Sequence, residues 1–180
     1  MAHLTASVEY GLHCLLTLVD AGPAPRSGKD LALFQGISPT FVAKILAKLE
    51  KAGIVRAVEG LRGGYLLARA PGSISVLAIV DAIEGSKPLF ECQEIRARCP
   101  LFGAEPPTWA SRGVCSIHAV MLKAEKAMRD ALASETLADI AGQLERKAPA
   151  EFGADTRTWF DQRIAARRPR RPAPSKALAT

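Results

Sequence analysis

Aromatic residues are scarce in this chain, 6% of 180 positions, although 48% of it is hydrophobic. That combination points to an alanine- and leucine-rich, mainly helical protein. No apolar run is long enough to span a membrane, and the N-terminus lacks the charged-then-apolar layout of a secretory signal. The expectation is a cytoplasmic protein with no membrane partner. No nucleophile–base pair, phosphate-cradling loop or pair of catalytic carboxylates stands out, which argues against an enzyme. Cysteine is limited to Cys14, Cys92, Cys99 and Cys115. In a cytoplasmic chain such thiols favour metal or redox chemistry over disulfide stapling.

The net charge of +6 is unevenly spread. Residues 26–69 carry eight Lys/Arg against three acids, whereas residues 70–161 carry ten against thirteen. Residues 162–180 hold Arg163, Arg167, Arg168, Arg170, Arg171 and Lys176 and no acid at all. Positive charge gathered in two places favours a polyanionic partner.

The first of those places is the most structured stretch of the sequence. Ser38 can cap a helix whose first turn accepts Pro39. Phe41, Val42, Ile45, Leu46 and Leu49 then recur on one helical face, and Thr40, Lys44, Lys48 and Lys51 lie on the other. Gly53 ends the helix, and Ile54–Val58 and Tyr65–Ala68 read as strands around a glycine-rich turn from Glu59 to Gly64. Ahead of it, Ser7–Val19 and Gly28–Phe34 read as helices. Three helices and a hairpin in this order make a winged helix-turn-helix. The fold class expected is therefore mainly α with a small β-wing, a DNA-binding domain over 1–85. Ser38, Thr40, Lys44, Lys48, Arg62 and Gly63 are the candidates to face double-stranded DNA, through base edges and phosphates.

Ser75 caps a fourth helix with Val76, Ile79, Val80 and Ile83, stopped at Gly85. Residues 86–115 hold four prolines and three of the cysteines with no sustained period, the mark of a functional loop. Ser116 is expected to cap a long helix with a narrow stripe, Ile117, Val120, Met121, Ala124, Ala127 and Met128. Its alanines would let a second helix approach closely, so 116–147 is read as dimerisation helices of a homodimer. Ser134 opens the last short one. From Ala148 to Thr180 the expectation is a basic, disordered tail.

The strings Leu4-Thr5, Glu9-Tyr10-Gly11-Leu12, Ile37-Ser38-Pro39, Ala52-Gly53-Ile54-Val55, Gly63-Gly64-Tyr65-Leu66-Leu67 and Ala82-Ile83-Glu84-Gly85 resemble the Rrf2 family of bacterial transcriptional regulators. The resemblance covers about residues 3–145. It implies a homodimeric winged-helix factor, often with an iron–sulfur cluster in the loop before the dimer helix. Thiolates suit such a cluster because they are soft, charged donors. Cys92, Cys99 and Cys115 are the candidates here, with a wider second gap than other members have. For the remaining ligation, Glu9 and His13 stand one helical turn apart. Their surroundings resemble a subgroup in which two cysteines of one chain and a Glu and a His of its partner bind a 2Fe–2S cluster, so 2Fe–2S is favoured over 4Fe–4S. His118, three residues after Cys115, is the alternative ligand. The resemblance implies DNA affinity governed by redox state, nitric oxide or iron–sulfur status. The alternatives are a metal-free Cys92–Cys99 disulfide switch and a zinc-bound repressor of the same fold. Cys14, between apolar positions, reads as a core residue.

Overall fold

A computed structural model describes residues 4–103 and 105–167. Thr5 starts α1 (Ala6–Val19), its hydroxyl accepting from the Ser7 amide. Ser27 caps α2 (Gly28–Gln35) through the Asp30 amide, and Gly36 ends it in the left-handed region. The third helix, α3 (Pro39–Lys51), leads through Gly53 into the antiparallel hairpin β1 (Val55–Val58) and β2 (Gly64–Leu67). Val55 pairs with Leu67 and Val58 with Gly64. A bridge from Arg26 to Tyr65 lays the segment before α2 against the hairpin. That approach requires glycine: a Cβ on Gly64 would lie 2.5 Å from the Arg26 carbonyl. The remaining helices are α4 (Val76–Glu84), α5 (Thr108–Ser111), α6 (Ser116–Ser134), α7 (Leu137–Lys147) and α8 (Ala150–Ala166).

The apolar stripes converge as the spacing requires. Val8, Leu15 and Leu18 of α1 meet Val42, Ile45, Leu46 and Leu49 of α3 and Ile79 and Ile83 of α4 in one core. Helices α6 and α7 are fastened to this core at two points. Arg129 of α6 makes paired hydrogen bonds of 3.0 and 2.8 Å to the Asp81 carboxylate of α4. Backbone bonds from Val76 to Glu135 and from Leu137 to Ile74, both 2.8 Å, join the starts of α4 and α7. In the α6 stripe, Ile117 (62% exposed), Val120 (64%), Ala124 and Ala127 face outward, while Met121 and Met128 are half-buried.

Three boundaries differ from expectation. Cys115, not Ser116, occupies the cap of α6. Ser134 ends α6, and α7 is capped instead by Thr136, which forms a reciprocal capping box with Asp139. The larger correction concerns the tail: residues 150–166 are helix α8, not disordered chain. The segment shows no apolar stripe because it docks by aromatic and ionic contacts instead. Phe160 is buried, 5.2 Å from the Phe34 ring and 4.8 Å from Trp159, with the Arg26 guanidinium 4.1 Å above its centre. Arg157 reaches Asp20 at 2.6 Å. Residues 168–180 of the expected tail lie outside the described residues.

Asp30 is the ionic anchor of this docking. Its buried carboxylate accepts from Arg163 at 2.7 Å, from Ser27 at 2.8 Å and from Arg167. Burial pushes its carboxyl up, but the bonds from Arg163, Ser27 and Arg167 outweigh it and hold the group below the usual carboxylate range. A depressed pKa means this stabilisation is complete above the ordinary value near ~4 and is lost only as pH falls through the lower, folded one.

Candidate cysteine-loop site and DNA-reading face

The loop between α4 and α6 folds back on itself. Leu89 donates its amide to the Glu125 carboxylate of α6 at 3.2 Å, which brings Phe90 beside His118, ring centres 5.8 Å apart. Two residues past Cys92, Glu94 takes a left-handed backbone, φ +48°, the one non-glycine among the described residues with positive φ. Cys92, Glu94 and His118 each offer a ligand atom, and those atoms lie within 4.8 Å of one another. The Cys92 thiol is 3.6 Å from a Glu94 oxygen. Arg96 donates to the other Glu94 oxygen at 3.0 Å and to the Gly113 carbonyl, so one guanidinium joins the two ends of the loop. The Arg96 hydrogen bond, opposed by desolvation and aided by the Arg96 charge, Cys92 and His118, holds the Glu94 carboxyl below its ordinary range.

Of the expected ligands, this group unites Cys92 with His118. Cys99 and Cys115 are half-buried free thiols in the same loop but outside the three-ligand group. Glu9 and His13 are exposed on α1 and do not belong to it either. Glu94 and Arg96 were not singled out by sequence. A Cys-x-Glu pair carries no ligand signature, and only the turn at Glu94 aims both side chains at His118. Cys14 is a core thiol as expected: fully buried, it accepts from the Gln35 amide at 3.2 Å, and burial pushes it up to about 11. A thiol so seldom ionised is a poor nucleophile and a poor ligand.

On α3, Ser38 takes the cap position but its hydroxyl makes no cap bond, in contrast to Ser27 and Ser75. Ser38, Thr40 and Lys44 are exposed along the first turns, as is Arg62 in the wing turn. Lys48 points elsewhere, donating to the Ile83 carbonyl at the end of α4 at 2.5 Å. Its ammonium neutralises a helix C-terminus and ties α3 to α4. Gly63 is a backbone necessity, since a Cβ there would lie 2.1 Å from the Val58 carbonyl oxygen. Among the described residues no helix is long and apolar enough to cross a membrane.

The profile of the family described as "Rrf2: Iron-dependent Transcriptional regulator" matches residues 4–143. Protein rrf2 of Nitratidesulfovibrio vulgaris is 35% identical over 138 residues, 76% of this chain and 85% of that one. The solved structure of T. potens IscR superposes with a TM-score of 0.62 at 28% identity, covering 82% of this chain and 92% of that one. CymR of B. subtilis, titled the global cysteine regulator, also gives 0.62, at 25% identity over 79% of this chain and 98% of that one. The family match runs from α1 into α7 and so includes the hairpin and the cysteine loop before α6. The chain belongs to the Rrf2 family of DNA-binding transcriptional regulators, which are not enzymes.

Proposed function

We propose that this regulator binds operator DNA as a homodimer paired through α6, and that an iron–sulfur cluster held at the loop before α6 sets its affinity. The observation that carries the reading is the meeting of Cys92 and His118 from opposite ends of that loop. The donor set is suitable. Cys92, Cys99 and Cys115 supply soft thiolates, and nitrogen or carboxylate ligation is acceptable at the iron that thiolates do not hold. Exposure of Glu9 and His13 on α1 is compatible with their serving the partner subunit's loop, and such mixed ligation favours 2Fe–2S. When bound, the cluster supplies a centre that responds to oxidants and nitric oxide.

The protein's own residues connect the loop to the DNA face. Arg129 links α6 to Asp81 of α4, and Lys48 links the end of α4 to α3. A shift of α6 is therefore passed to the helix that presents Ser38, Thr40 and Lys44 to bases and phosphates, with Arg62 as a phosphate contact of the wing. In a dimer such a shift alters the separation of two α3 helices, which must stand about 34 Å apart to read successive major grooves.

One observation favours a second reading. A thiolate, a carboxylate and an imidazole within 4.8 Å are also a ligand set for a single zinc ion. Purification without air, followed by iron, acid-labile sulfide and zinc analysis, separates the two. The cluster reading expects comparable iron and sulfide with visible absorption; zinc alone, or no metal, overturns it.

A further inference from the structure

The wing does little to hold itself in place. Its strands are four residues long and form a two-stranded sheet, and such a hairpin is marginal in water when left alone. The turn between them includes Gly60 and Gly63 and is closed by a bond from the Gly63 amide to the Gly60 carbonyl at 2.9 Å. Glycine has the most backbone freedom to lose, so ordering this turn is costly. Two supports reach it from outside. Arg26 and Tyr65 exchange backbone bonds of 3.1 and 2.8 Å beside the turn. The other support comes from the end of α8. Arg167 donates from one guanidinium nitrogen to the Gly63 carbonyl at 3.0 Å and from the second to Asp30 of α2. Asp30 is buried and is fixed independently by Arg163 at 2.7 Å and Ser27 at 2.8 Å. A planar guanidinium meets two acceptors in set directions, so one side chain ties the wing turn to the first turn of α2. Gly63 is the neighbour of Arg62, the exposed cation of that turn. Helix α8 lies beyond residues 4–143, so this support comes from outside the family match.

We propose that Arg167 is a positioning residue for DNA binding, clamping the Gly63 carbonyl to Asp30 so that Arg62 meets a backbone phosphate from a turn already in place. A turn ordered beforehand spares the complex the cost of ordering it, and that saving appears as affinity. Arg167 acts through Arg62 and need not touch DNA itself. The inference rests on reading Arg62 as a phosphate contact and is independent of the cluster.

The test is a double-mutant cycle of full-length Arg62→Ala, Arg167→Ala and the double variant, on a duplex selected for binding from a random library. Arg62→Ala should weaken binding about tenfold or more and flatten the salt slope by about one. Arg167→Ala should cost about threefold or more in the parent but less than about twofold once Arg62 is gone, because coupled residues do not add. Arg163→Ala is the contrast: it removes another α8 partner of Asp30 and a cation 4.8 Å above the Trp159 ring, but no wing contact, so it should weaken binding less than Arg167→Ala. In DNA-free protein, amide exchange across residues 59–64 should quicken about threefold or more in Arg167→Ala and stay at the parent rate in Arg163→Ala. Additive losses from Arg62→Ala and Arg167→Ala, equal losses in Arg163→Ala and Arg167→Ala, or unchanged exchange in Arg167→Ala would each overturn the positioning role and leave Arg62 as a phosphate contact. Unchanged affinity and slope in Arg62→Ala would overturn both.

Discussion

Replacing Phe160 by alanine is expected to destabilise the protein by about 3–5 kcal/mol, the range for a large aromatic removed from a packed site. In a chain of this size that lowers Tm by about 6–20 °C. Phe160 is 1% exposed and lies in a cluster with Phe34 and Trp159. Its ring is also the main cover of a buried cation. The Arg26 guanidinium sits over it, and Arg26 Nη1 has no hydrogen-bond partner among the described residues. Burial lowers the hold of Arg26 on its proton, partly offset by Asp20 and Asp161, so the charge is retained in a poorly solvated place. Losing the ring therefore removes apolar contact and the quadrupole that faces the cation at once. Phe152→Ala is the reference, since that ring is 45% exposed and its loss should change stability by less than about 0.5 kcal/mol. Thermal unfolding of the two variants checks this. Equal, small losses would mean that α8 does not dock.

The second large effect is expected at Cys92. Cys92→Ala should retain less than about a tenth of the parent's iron after anaerobic purification and lose its visible absorption, because a cluster normally needs its full set of ligands. Cys14→Ala serves as the contrast. That thiol is fully buried against Gln35 and raised to about 11, so its replacement should leave iron and absorption unchanged. Retention of iron and sulfide by Cys92→Ala would remove the residue from the site; loss of both in Cys14→Ala alone would place the site elsewhere.

Much of this architecture is legible in the residues because it obeys simple periodicity. The stripe Phe41, Val42, Ile45, Leu46, Leu49 could bury only as a helix, and Gly63 and Gly64 could only make a tight turn and a close approach. Helix α6 is visible for the same reason, as is the capping of α4 by Ser75. What escapes is structure made by distant, non-periodic pairs. Helix α8 is held by adjacent aromatics, Trp159 and Phe160, and by arginines whose partner, Asp30, lies far back in the chain. A basic composition alone looks the same whether its arginines are solvated or anchored. The site divides likewise. Cys92 and His118 were candidates by residue type, whereas Glu94 enters only because its own left-handed turn bends the loop back. Lys48 shared a face with Lys44 on the helical wheel, yet a carbonyl on another helix claims it.

The proposed function requires that a cluster bound at the cysteine loop control DNA affinity. The most direct measurement selects a duplex for binding from a random library, then titrates it with iron–sulfur-loaded and with iron-free protein in the same salt. The account predicts dissociation constants at least tenfold apart, about 1.4 kcal/mol or more, with the difference erased in Cys92→Ala. Equal dissociation constants for the loaded and iron-free forms would contradict it.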